Sequence, residues 1–168
     1  MSPILTAPDL GAMKDRSPIP PDSESGAQSR VRILICDDQK LIRVRIREML
    51  EPDRSVVVIA EAAGGHEAVR LALRLKPDLI LMDLSMPDID GVEATRQILA
   101  RLPRVRIVAF SSDLTSESMA RMFAAGAWGY LMKTADPAEL LVSLHRVMRG
   151  NRVISSPHAA RAPWRRRD

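Results

Sequence analysis

A chain of 168 residues has room for one domain of roughly 120 residues plus tails, and its 46% apolar content excludes a wholly disordered polypeptide. With aromatics at only 3%, the core has to come from Leu, Ile, Val, Ala and Met, and the single cysteine, Cys36, excludes an internal disulfide or a cysteine metal cluster. The net charge of +4 is uneven: residues 1–29 set two basic against four acidic side chains, whereas residues 151–168 set five arginines against Asp168.

Such a basic tail can touch nucleic acid or an acidic membrane, although it is more often a solvated end. No apolar run reaches the ~18 residues of a membrane span. The N-terminus lacks a basic start and a long apolar centre, so no signal peptide is expected. These features predict a soluble, cytoplasmic protein.

Residues 1–29 are rich in Pro, Ser, Asp and Gly without apolar periodicity, and read as a disordered extension. Order is expected from Arg30. The β-branched run VRILIC (31–36) predicts a buried strand that stops at Asp37-Asp38. Apolar residues at helical spacing predict a helix over 39–51, ended by Pro52. The pattern repeats as strand 55–62, helix 66–76, strand 79–83, helix 92–102, strand 105–111, helix 116–127 and strand 128–133. A last helix, 138–150, follows the Asp136-Pro137 start signal and stops at Gly150, leaving 151–168 as a basic tail. Five strand-helix units with near-continuous apolar strands mean an α/β fold whose parallel sheet is covered on both faces.

In such sheets, functional groups gather at the carboxyl ends of the strands. The polar residues fall there: Asp37 and Asp38 after the first strand, Asp83 after the third, Ser111 and Ser112 after the fourth, Lys133 and Thr134 after the fifth. If these strands are neighbours, three carboxylates share a pocket with hydroxyls and one ammonium. Each close carboxylate pair costs about 4 kcal/mol at ~4 Å and an effective dielectric near ~20. One lysine cannot neutralise three charges, whereas a divalent cation with oxygen ligands can, and Mg²⁺ favours a few carboxylates with water and a phosphoryl oxygen. The hydroxyl and ammonium suit the remaining phosphoryl oxygens. Aspartate is itself a phosphoryl-accepting nucleophile.

The segments ILICDD, LILMDLSMPDIDG, IVAFSS and GAWGYLMK, in this order and spacing, resemble the receiver domain of two-component response regulators over about residues 31–150. The resemblance implies a flavodoxin-like (βα)5 doubly wound sheet of order 2-1-3-4-5. It implies Asp83 as phosphoacceptor, and Asp37, Asp38, Asp83 and the Ser85 carbonyl as Mg²⁺ ligands. Ser111 takes the switch hydroxyl position, Lys133 the phosphate-contacting lysine and Tyr130 the aromatic switch. The implied function is a phosphorylation-controlled switch that acts as an enzyme only on itself. Two positions depart from the family pattern. Thr134 stands where proline often follows the lysine, which bears on the geometry of that loop. Ser112 stands where a small alanine is usual.

The partners implied are a histidine kinase or phosphotransfer protein upstream, docking around Leu41 to Leu50, and a protein target downstream. A homodimer is compatible with the pattern, and no membrane partner is expected. The stretch GYLMKTADPAELLVSLHRVMRGNRVIS is similar to receivers that precede a LuxR-type helix-turn-helix. Only 18 residues follow Gly150, so direct DNA binding by these residues is not expected. The alternatives are a phosphorylation-independent interaction module and the receiver part of a DNA-binding regulator. Elsewhere, His66, His145 and His158 read as structural or solvated, Cys36 as a small core residue, and Met119 and Met122 as packing or partner surface. Asp88, Asp90 and Gly91 read as turn chemistry, with Asp90 capping the next helix.

Overall fold

The computed structural model describes residues 29–155, along which strand and helix alternate as the hydrophobic pattern predicts. The elements are β1 (Val31–Cys36), α1 (Lys40–Leu50), β2 (Val56–Ala62), α2 (Gly65–Leu75), β3 (Leu79–Met82), α3 (Gly91–Arg101), β4 (Arg106–Ser111), α4 (Ser116–Ala124), β5 (Gly129–Met132), α5 (Pro137–Met148) and β6 (Val153–Ile154). Every strand pair is parallel, in the order β2-β1-β3-β4-β5-β6. The fold is the flavodoxin-like one, and the expected 2-1-3-4-5 order holds with one addition. Residues 153–154, assigned from sequence to the tail, form a sixth strand on the free edge of β5. Val153 N–H donates to the Trp128 carbonyl at 3.1 Å and Ser155 N–H to that of Tyr130 at 3.0 Å. The extension expected over 1–29 and the tail beyond Ser155 lie, but for Ser29, outside the described residues.

The apolar strands are explained by burial on both faces. Ile33 and Ile35 of β1 pack with Ile46, Met49 and Leu50 of α1 and with Leu140, Leu144 and Val147 of α5. Their neighbours Leu34 and Cys36 point the other way, into a cluster with Ala68 and Leu71 of α2, Val92 and Ile98 of α3, and Met122 of α4. Alternate side chains of one strand thus fill two cores, and each fully buried aliphatic contributes about 1.5–3 kcal/mol. Met119 and Met122 are both buried, so they pack and do not form a partner surface. Burial also pushes the Cys36 thiol up, with the Glu67 and Asp37 charges adding to it, which suits an inert core residue.

Helix ends follow the caps. Asp90 accepts from Glu93 N–H at 2.8 Å to start α3, and Asp136 accepts from Glu139 N–H at 2.7 Å ahead of Pro137 to start α5. The helix expected over 116–127 stops at Ala124, since Gly126 adopts φ 107° and turns the chain towards β5. Asp88 is more than a turn residue. Its carboxylate accepts from the N–H groups of Gly65 and His66, both at 2.7 Å, and so caps α2 from a loop 22 residues away. Those amides, His66 first, hold the Asp88 carboxyl well below the usual range. His66 Nδ1 lies 3.0 Å from the same carboxylate.

The segment between β3 and α3 also depends on Gly91. A Cβ there would lie 2.1 Å from the Asp83 carbonyl oxygen and 3.0 Å from Leu84 Cα, both main-chain atoms that cannot swing aside. Gly91→Ala is expected to destabilise the domain by about 1–3 kcal/mol through this overlap. Urea unfolding checks it, and a midpoint equal to wild type would contradict the packing described.

His145 is not a solvated bystander: its Nε2 lies 2.6 Å from Asp53 Oδ2 and ties α5 to the loop after α1. Hydrogen bonds from the Ser55 hydroxyl, from His145 and from the Ser55 amide lower the Asp53 carboxyl from 3.8 to about 2. A carboxyl lowered on folding stabilises the fold above its unfolded value and loses that contribution as pH falls through the folded one. Asp53→Ala should therefore lower the melting temperature at neutral pH. The gap to wild type should close as the pH is taken from about 4 down through 2, whereas a gap unchanged across that range would exclude the linkage.

Candidate functional site

The site lies at the carboxyl edge of β1, β3, β4 and β5, where the parallel registers bring four strand ends side by side. Asp37 continues β1. Its N–H donates to the Ala62 carbonyl at 3.0 Å, and its Oδ1 accepts from Gln39 N–H at 2.8 Å, turning the chain into α1. Asp83 continues β3, with its N–H on the Cys36 carbonyl at 2.8 Å. Both carboxylates are buried, whereas the neighbouring Asp38 is exposed. One oxygen from each of the three falls within 4.8 Å of the others.

Lys133 follows β5, its N–H bonded to the Ser111 carbonyl at 2.9 Å. Its ammonium reaches 2.7 Å from Asp37 Oδ2 and 3.2 Å from Asp83 Oδ1. Burial works against the charged ammonium, but the two carboxylates outweigh it and hold Lys133 above the ordinary lysine value. Asp83 is shifted the opposite way from a simple ion pair: burial and then the Asp37 charge push its carboxyl up, and Lys133 offsets this only partly. Asp37 Oδ2 is buried and its close partner is the Lys133 ammonium, one cation set against two buried carboxylates. A cluster of hard oxygen donors with surplus negative charge fits a divalent hard cation.

The remaining expected residues frame this cluster. Ser85 N–H approaches Asp83 Oδ1 at 3.4 Å, so the loop bearing the Ser85 carbonyl curls over Asp83. Ser111 is buried at the end of β4, its hydroxyl accepting from Asp113 N–H at 3.1 Å, while Ser112 is exposed. Tyr130 is fully buried on β5, and its hydroxyl donates to the Asp113 carbonyl. Burial pushes that phenol up. Thr134 is exposed, and its hydroxyl meets only the Met132 sulfur, at 3.7 Å.

Several contributors were not singled out from sequence. Asp113 closes the loop before α4: Oδ1 accepts from Thr115 N–H at 2.9 Å and Oδ2 from the Ser118 hydroxyl at 2.6 Å. The signal for it was present, since Asp-x-Thr is an Asx-turn pattern and Thr115 caps α4 by accepting from Ser118 N–H at 3.1 Å. Arg43 donates to the Asp37 carbonyl at 2.7 Å and to Glu61 at 3.0 Å, bracing the ends of β1 and β2. Burial opposes the Glu61 charge, but Arg47 and Arg43 prevail and hold its carboxyl low. Arg121 of α4 pairs with the capping Asp90 at 2.9 Å. Nothing in the local sequence marks these arginines, because their carboxylate partners are 14 to 31 residues away.

Comparison with known proteins shows the family of this fold. The response regulator receiver domain family matches residues 33–145. The transcriptional regulatory protein LiaR of Bacillus subtilis (strain 168) is 37% identical over 131 residues, spanning 78% of this chain and 62% of that protein. The response regulator protein VraR of Staphylococcus aureus is 37% identical over 123 residues, spanning 73% of this chain and 59% of VraR. The chain thus spans about three fifths of the length of these relatives. A solved two-component response regulator of the LuxR family from Aurantimonas sp. SI85-9A1 superposes with a TM-score of 0.74 at 37% identity, covering 80% of this chain and 95% of that one. Among the described residues no helix is long and apolar enough to cross a membrane. The chain belongs to the response regulator receiver domain family, and is homologous to LuxR-family regulators.

Proposed function

We propose that this receiver is a phosphorylation-activated switch that accepts a phosphoryl group on Asp83 from a histidine kinase or phosphotransfer protein. The observation that carries the reading is the Lys133 ammonium seated on Asp37 and Asp83 within a cluster of three carboxylates, whose charge one lysine does not offset. Mg²⁺ would be held by Asp37, Asp38, Asp83 and the Ser85 carbonyl. When bound it supplies charge neutralisation at the carboxylates and the phosphoryl oxygens.

The chain's own groups do the rest. A carboxylate oxygen of Asp83 forms the new bond to phosphorus as the bond between phosphorus and the donor's leaving group breaks. Lys133, already 3.2 Å from Asp83, then meets a phosphoryl oxygen in place of the free carboxylate. A hydroxyl both accepts and donates: Ser111 accepts from Asp113 N–H and would donate to a second phosphoryl oxygen. That pull acts on the same loop whose Asp113 carbonyl holds Tyr130, so phosphorylation biases the surface around α4, β5 and α5 between two populations. In this reading the domain catalyses only its own phosphorylation and hydrolysis. Its role as the receiver part of a DNA-binding regulator is favoured by its likeness to the transcriptional regulatory protein LiaR and to VraR, of which it spans about three fifths. The expectation against DNA contact then concerns residues 1–168 alone.

Incubation with acetyl phosphate and Mg²⁺ should add one phosphoryl group, about 80 Da by intact mass, in wild type and none in Asp83→Asn. Omitting Mg²⁺ should abolish the gain. An adduct that survives in Asp83→Asn would move the acceptor elsewhere. Absence of both adduct and Mg²⁺ binding in wild type would favour an interaction module whose pocket no longer reacts.

A further inference from the structure

Lys133 can contact both aspartates only if its main chain is held in place, and the turn itself supplies part of that through buried Ala135 and the capping Asp136. The lysine N–H is fixed on Ser111, but after it the chain leaves the sheet for Thr134, Ala135 and Asp136. The turn is closed by Ala135 N–H on the Met132 carbonyl at 3.0 Å, and Asp136 already opens α5, its carbonyl accepting from Leu140 N–H at 3.0 Å. No main-chain donor meets the carbonyls of Lys133 and Ala135 among the described residues. Thr134 is exposed and has no ring to fix its backbone. The carbonyls of Lys133 and Ala135 are met instead from α1. Arg45 Nη1 donates to the Lys133 carbonyl at 2.8 Å, and Nη2 to that of Ala135 at 3.3 Å.

The geometry suits only a planar fork. The two carbonyls flank Thr134, and the two guanidinium nitrogens span them at once, which a lysine ammonium on one flexible stem does not do. Among the described residues no carboxylate pairs with Arg45, so its charge is directed at these two carbonyls. The helix it stands on is anchored next door by Ile46, which is 1% exposed. The same helix starts at Lys40, with Gln39 as its N-cap directly after Asp37 and Asp38. One rigid element therefore follows the carboxylates and grips the lysine loop from its second turn, across 88 residues of sequence.

We propose that Arg45 is a positioning residue for Lys133: its fork fixes the loop from Lys133 to Ala135 so that the ammonium is already aimed at the phosphoryl-accepting carboxylate. This rests on the reading of Asp83 as acceptor, and the experiment separates the two. Phosphoryl gain from acetyl phosphate would be timed by intact mass for wild type, Arg45→Ala and Arg45→Lys. Mg²⁺ affinity would be measured by calorimetry and folding by thermal melts. Arg45→Ala is expected to slow the gain about 5-fold, the scale of a partly exposed charge-assisted contact. Its Mg²⁺ affinity should be unchanged or raised, because a displaced ammonium competes less for Asp37 and Asp83, and its melting temperature should stay close to wild type. Arg45→Lys should recover part of the rate at most.

A rate within about 2-fold of wild type for Arg45→Ala, or full recovery in Arg45→Lys, overturns the proposal. So does a joint fall of rate, Mg²⁺ affinity and melting temperature, which is the mark of general loosening. Failure of wild type itself to gain a phosphoryl group or to bind beryllofluoride overturns the underlying reading of Asp83, and the role of Arg45 with it.

Discussion

Asp37 and Asp83 end adjacent parallel strands and are both buried, and their mutual repulsion is the constraint around which the carboxyl edge of the sheet is built. A lone buried carboxylate can take up a proton; two side by side need a cation or a partner that keeps one of them neutral. Lys133 meets this demand only in part. That incomplete balance leaves surplus negative charge at the cluster, of the kind a divalent ion would offset. An apolar pair of the same size would pack at least as stably, so the acidic pair stands at the expense of stability and is explained by chemistry.

The loops around the pair are fixed by long-range polar contacts more than by their own turns. Asp88 seats the Asp83 loop on the N-terminus of α2. Asp90 caps α3 and reaches Arg121 of α4. Arg43 links the Asp37 carbonyl to Glu61. The loop after β3 is thereby tied to α2 and α4, and the end of β1 to β2 through Arg43 of α1. The contacts to exposed groups are individually weak, but they define where four loops stand relative to one another. A shift in one of them is felt by its neighbours.

The alternation of strand and helix was legible because both faces of the sheet are buried, which makes continuous apolar runs of β1, β3 and β4 stand out from the amphipathic helices. The strand-end residues were legible for the same reason: Asp37, Asp83, Ser111 and Lys133 interrupt runs that are otherwise apolar. The sixth strand was not. Two residues of NRVIS are too few to show a period, and only pairing with β5 makes them a strand. Arg43, Arg45 and Arg121 were equally invisible, since an arginine on an amphipathic helix looks the same whether it meets water or a carbonyl on a distant loop. Asp88 was read as a turn former because its pattern is local, whereas its hydrogen bonds are not.

The sixth strand changes which main-chain groups the protein offers to others. Strand edges invite pairing with a foreign strand. On the β5 side that invitation is shortened: β6, two residues long, becomes the edge, and Met132 N–H, just beyond it, is satisfied by the Ser155 hydroxyl at 2.9 Å. The longer uncovered edge is at the opposite end of the sheet, along the seven residues of β2. Any strand added on the β5 side thus finds only the two residues of β6 to pair with, and the surface there is set mainly by the side chains of α4, α5 and their loops.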